Sequence, residues 1–144
     1  MTLNPSETRI GELSFERTPD GPRLVVSREV DAAPAVVWNL LTDTHCWPEW
    51  GPSIVGVACE ERFVRAGTRG HVRTVGGLEL PFHVTECTDR RWTWRVAGVP
   101  ATGHRVEPLR EGCRVAFEVP PLAAAYTLVC WRALATIDQL ARNA

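Results

Sequence analysis

The chain has 144 residues, 44% of them hydrophobic, and a formal net charge of −1. That length fits one domain with a real core, and the near-neutral charge gives no electrostatic basis for holding nucleic acid or anionic lipid. All 16 basic residues are arginines, which excludes chemistry that needs a lysine amine, Schiff-base catalysis and covalent pyridoxal phosphate among it, and a lysine-bearing phosphate loop.

Residues 1–22 read as a polar, turn-rich N-terminal extension. Leu13 and Phe15 alternate with polar neighbours there, which allows one extra short strand before the "TPDGP" turn. The opening residues lack the apolar segment of a secretion signal, and no apolar run approaches the ~20 residues that span a bilayer. The expected location is the cytoplasm, with no stable membrane insertion. The five cysteines, Cys46, Cys59, Cys87, Cys113 and Cys130, are odd in number and form no CxxC pair, so free thiols are expected.

Residues 23–144 read as the main domain. "RLVVSREVDA" has the composition of a strand, and "APAVVWNLLTD" that of a helix with Pro34 in its first turn and Val37, Leu40 and Leu41 on one face. From Ile54 to Val119, short β-type runs alternate with turn residues. The runs are 54–60, 69–75, 78–87, 91–97, 102–108 and 113–119, and their spacing fits an antiparallel meander. The last 25 residues, from "PPLAAAY" onward, read as one amphipathic helix of about five turns, with Leu122, Tyr126, Val129, Ala133, Ile137 and Leu140 in a stripe that Cys130 and Leu134 widen. The expected class is α+β: about seven antiparallel strands curved around a long C-terminal helix, with one or two short helices after the first strand.

The stretch "DTHCWPEWGPSI", residues 43–54, poses the sharpest question. It holds an aspartate, a histidine, a cysteine and two tryptophans. The structural reading makes it a proline-limited second helix or turn, with Asp43 taking backbone N–H groups and Trp47 and Trp50 packed on the sheet. A catalytic pair of Asp43 and His45 lacks a third group to orient it. A metal site lacks ligand spacing, since adjacent His45 and Cys46 rarely face one ion.

With these elements in order, the sequence resembles a known family. "REVDAAPAVVWNLLTDTHCWPEWGPSI" is similar to the opening segment of the START-like (Bet v 1-like, helix-grip) superfamily, in its polyketide cyclase/dehydrase-like branch. "WTWRVAG" and "GHRVEPLREGCRVAFEV" resemble that branch's central hairpins, and the resemblance covers about residues 24–142. It implies the helix-grip fold but leaves function open, because the branch holds cyclases, lipid and hormone carriers and proteins without known activity.

Strand alternation selects the inward side chains. They are Leu78, Leu80, Phe82 and Val84, then Trp92, Trp94 and Val96, then Val115, Phe117 and Val119, with Val72 and Thr74 favoured in the strand before them. "TGHRVEP" puts His104 inward beside Thr102 and Val106, and an inward imidazole needs a hydrogen-bond partner or a polar cavity. Three roles stay open for His104: a bonded core histidine, a ligand-orienting group, or an acid/base partnered by Tyr126. The candidate ligand wall joins Trp50, Phe82, Val84, Trp92, Trp94 and Phe117 with Thr102 and His104. The long helix adds Tyr126, Val129, Cys130 and Ala133.

Two functions from different classes follow. A container would hold one small hydrophobic molecule, aromatic, polyketide- or lipid-like, between sheet and helix. An enzyme would be a cyclase, aromatase or dehydratase using His104 and Tyr126. A weaker third reading, an interaction module of the ribosome- or chaperone-associated type, has only the arginines at 62, 65, 69 and 73 behind it. No cofactor, metal or nucleic acid is expected, and the chain is expected as a monomer or homodimer.

Overall fold

The alternating runs become strands in the computed structural model, which describes residues 11–144. They are β1 (Glu12–Thr18), β2 (Gly21–Val30), β3 (Ile54–Cys59), β4 (Arg69–Thr74), β5 (Glu79–Thr88), β6 (Arg91–Val96), β7 (Val99–Pro108) and β8 (Cys113–Val119). They form one antiparallel sheet in the order β1-β2-β8-β7-β6-β5-β4-β3. The sheet therefore has eight strands rather than about seven, the added one being β1, paired with β2 from Glu12↔Ser27 to Thr18↔Gly21. Register shifts at Val84/Glu86 and Thr93/Arg95 mark bulges that bend the sheet.

Two hairpins turn on positive-φ pairs, Asp89–Arg90 and Ala97–Gly98. The second is tighter than "GVPATG" implies. Only Ala97 and Gly98 leave the strands, so β7 begins at Val99, three residues before its expected start at 102.

Helix α1 (Pro34–Thr42) starts on a proline, whose missing N–H costs nothing there, and buries Val37 and Leu41 one turn apart. Its last four carbonyls have no partner within the helix. Each finds one outside. The Asp43 N–H reaches Asn39 O at 2.9 Å and the Val64 N–H reaches Thr42 O at 3.0 Å. The Trp47 indole N–H donates to Leu41 O at 2.9 Å, and that of Trp50 to Leu40 O at 2.7 Å. Both indoles come from the single-turn α2 (Trp47–Trp50). Asp43 accepts the His45 N–H at 3.0 Å and a fork from Arg62. Burial would raise its carboxyl, but Arg62 and the His45 N–H outweigh that and hold it below the ordinary range.

Helix α3 (Thr127–Arg142) lies in the curve of the sheet with Cys130, Ala133, Leu134, Ile137 and Ala141 buried. Asp138, also buried, ties it to β2 through Arg28 at 2.7 Å. The helix is shorter than its sequence implies. Residues Pro121–Tyr126 form a separate 3-10 helix interrupted by non-helical dihedrals at Ala123. Leu122, expected on the buried stripe, is fully exposed, as is most of Leu78, which sits in the turn before β5 rather than on the inner face.

The outer face holds a buried charge that alternation treats as solvent-facing. Glu118 is 1% exposed. Arg91 grips its carboxylate at 2.7 and 3.0 Å, and Arg105 adds a bond at 3.0 Å. Gly103 stands opposite on β7, where a Cβ would come within 2.9 Å of Glu118 Oε1. Burial pushes the Glu118 carboxyl up, but the two arginines outweigh it and the net direction is down.

Two outcomes test this frame. Trp50→Ala removes a buried ring and a helix-end donor together, and should cost about 3–5 kcal/mol in urea unfolding. Glu118→Gln leaves two arginines without their buried counter-charge, and a loss of about 3 kcal/mol is expected. Because the folded carboxyl titrates below its ordinary value of 4.5, its contribution is complete above that pH and lost as pH falls through the folded value. Acid unfolding of wild type should therefore steepen below pH 4.5, and the glutamine variant should lack that component.

Candidate functional site

A cavity of about 340 Å³ opens between the 3-10 helix and the ends of β3–β7. Its wall is carbon from Ile54, Val72, Leu80, Trp94, Val96 and Val99, closed by Pro100, Ala101, Pro120 and Ala123. Its side-chain polar groups are the hydroxyls of Ser53, Thr74, Thr102 and Tyr126 and the Trp94 indole N–H, and no charged side chain lines it. At the mouth, Ser53 Oγ and Tyr126 Oη are hydrogen-bonded at 2.7 Å. This bond joins the loop before β3 to the last residue of the 3-10 helix, just before α3. Burial raises the Tyr126 phenol pKa, the Ser53 bond opposing it only in part, so the phenol keeps its proton.

One hydrogen-bonded chain leads from the wall into the core. The Trp94 indole N–H donates to Thr102 Oγ1 at 3.2 Å, and Thr102 Oγ1 lies 3.0 Å from His104 Nε2. His104 Nδ1 lies 3.3 Å from the Trp92 carbonyl, which can only accept. Nδ1 therefore carries the proton, and Nε2 accepts from Thr102. The imidazole is 2% exposed and stacked on Trp92, with ring centroids 3.9 Å apart. Burial drives its pKa down to about 3, so it is neutral near pH 7. Trp92 is packed between this ring and Trp47, stacked at 5.3 Å, and its own Nε1 is buried without an acceptor.

The sequence-derived wall residues separate into two groups. Trp94, Thr102 and Tyr126 line the cavity. His104 stands behind Thr102, with Phe117 at 4.9 Å and Trp50 at 6.3 Å between ring centroids. Phe82, Val84 and Trp92 are core residues, as are Cys130 and Ala133, while Val129 is half-buried. None of these lines the cavity. His104 and Tyr126 are not brought together: each bonds a different partner. Alternation marked Leu80, Val72, Thr74 and Val96 as inward, but gave no position along the strand. Ser53, Pro120 and Ala123 lie outside the strands, where no period marks them.

Other reactive groups offer little chemistry. Burial raises Cys130 to about 12 and Cys46 and Cys113 to about 11, and pushes Cys59 and Cys87 up too, so each keeps its thiol proton at neutral pH. Among the described residues no three His, Cys, Asp or Glu side chains gather as a metal site. No helix among them is long and apolar enough to cross a membrane.

The family described as polyketide cyclase / dehydrase and lipid transport matches residues 21–143. No curated protein sequence matches the chain. Solved structures similar in fold include protein MLL2253 from Mesorhizobium loti, with a TM-score of 0.65 at 16% identity over 81% of this chain and 93% of that one. CalU16 from Micromonospora echinospora gives 0.64 at 18% identity over 94% and 76%. XoxI from Bacillus cereus gives 0.61 at 18% identity over 81% and 93%.

The His104 geometry has a spectroscopic consequence. Its ring should show no titration by NMR between pH 8 and pH 5. Since the folded pKa is depressed from 6.5 to about 3, protons bind the unfolded chain first. Stability should fall by up to ~1.4 kcal/mol per pH unit across that window. A midpoint near 6.5 would show that the ring is solvated.

Proposed function

Because this chain belongs to the polyketide cyclase/dehydrase and lipid transport family, we propose that it is a container for one small hydrophobic molecule, aromatic, polyketide- or lipid-like, held in the cavity beside the 3-10 helix. The observation that carries the proposal is the wall itself: an indole face, aliphatic side chains and a few hydroxyls around about 340 Å³. Ligand cavities run from roughly 300 to 1,000 Å³, which sets the occupant near two or three fused rings or a short chain. Apolar burial supplies the affinity, at about 25 cal/mol per Å².

The alternative reading, a cyclase or dehydratase with His104 as acid/base, draws less support from the geometry. Both ring nitrogens are engaged, and Thr102 stands between the ring and the cavity. The interaction-module reading draws less still, since Arg62 is paired with Asp43, Arg65 with Glu61 and Arg73 with Glu79.

Trp94 lines the cavity, so its emission reports occupancy. A naphthalene- or anthracene-type probe should quench it saturably at one site per chain. Val96→Trp should fill the space and abolish that quenching while the protein melts cooperatively near the wild-type temperature. Undiminished quenching in this variant would place the probe elsewhere and overturn the proposal.

A further inference from the structure

We infer that the ligand is uncharged and carries a carbonyl or hydroxyl oxygen that seats between Ser53 and Tyr126 at the mouth, while carboxylates and phosphates of the same shape are turned away. The inference rests on the container reading and specifies its chemistry. The first support is the wall: fourteen lining residues include no cation. An anion drawn inside would lose its water and meet only neutral hydroxyls, a cost that pairing normally offsets. The nearest titratable ring, His104, lies behind Thr102 with both nitrogens taken and offers no positive charge.

The second support is an accounting of hydroxyl groups. Thr102 is spent, accepting from Trp94 and donating to His104. Thr74 accepts the Leu78 N–H at 3.3 Å and keeps its own proton as a single donor. Ser53 and Tyr126 bond each other at 2.7 Å, and that bond uses one of their two hydroxyl protons. If it opens, both protons are free to donate. A ligand carbonyl then accepts two hydrogen bonds in exchange for one, and a ligand hydroxyl accepts one and donates one. The mouth is therefore the place where two hydroxyl donors can converge on one neutral oxygen, on a wall that is otherwise mostly carbon.

Four molecules on one skeleton test this: naphthalene, 2-naphthol, 2-acetylnaphthalene and 2-naphthoate, titrated at pH 7 by calorimetry into wild type, Tyr126→Phe, Ser53→Ala and the double variant. The naphthol and the ketone should bind about tenfold tighter than naphthalene, the net worth of a hydrogen bond or two. Naphthoate should bind at least about tenfold more weakly than naphthalene. Each single variant leaves one hydroxyl to meet the ligand oxygen, so only the double variant Tyr126→Phe/Ser53→Ala should bring the two oxygenated neutral molecules down to the level of naphthalene, with naphthalene itself unchanged. Naphthoate bound as tightly as naphthol, or a variant that weakens all members equally, would overturn this inference and leave the container standing. No binding by any of the four would overturn both.

Discussion

At 1.5 Å per residue the 16 residues of α3 run about 24 Å, while the ten residues of β7 run about 33 Å. α1, α2 and α3 share the inner face of the sheet, α3 lying over β2 and β8, and α3 is shorter than β7. Over the length it reaches, its buried face packs against β2 and β8. Before Thr127 the chain runs as a 3-10 helix, which borders the cavity through its cap Pro120 and through Ala123 and Tyr126. The cavity is this shortfall. Its position is set by where α3 can begin, and its wall is whatever the strand ends present there.

Aromatic packing decides which part of the inner face is core and which is cavity. Trp47, Trp92, Trp94, Phe82 and His104 form one contact set with centroid distances from 3.9 to 6.0 Å. Trp47 and Trp50 also hold the end of α1 through their indole N–H groups, so the helix and the cluster support each other. Phe82 lies over Gly70 so closely that a Cβ there would come within 2.8 Å of its ring. Only Trp94, at the rim of the cluster, still presents a face to the cavity. The stretch that looks most reactive in the sequence therefore works as packing and capping, and the polar chain of Trp94, Thr102 and His104 satisfies the core just behind the wall.

Elements with a clear period were legible beforehand. β-type runs bounded by turn residues located β2 to β8, period-2 alternation turned His104 inward, and the inward set contained Leu80, Trp94 and Val96 of the wall. What could not be read was the end of things. The Ala-rich "PPLAAAY" favours helix by propensity, yet the chain departs from α geometry at Ala123, so α3 begins at Thr127. Ala97 adopts positive φ, which a turn reading reserves for glycine or asparagine. Glu118 alternates outward as expected, but its burial depends on Arg91 and Arg105 from other strands, a tertiary fact with no local signature. Ser53 and Tyr126 are 73 residues apart, and nothing in either neighbourhood announces their contact.

The two faces of the sheet divide the chemistry between them. Arginine and carboxylate groups around Glu118 occupy the outer face. On the inner face, Asp138 is charged but is consumed by Arg28 and Arg142 in anchoring α3. That anchor is made at the C-terminal half of the helix, away from the cavity end. The cavity wall thus holds no charged side chain, and its hydroxyls offer neutral, short-range contacts. Such a site discriminates by the cost of desolvation rather than by attraction. The inferred preference for neutral occupants rests on where the fold spends its charges, and a single cation introduced at the wall, as in Leu80→Arg, should reverse it in favour of carboxylates of the same shape.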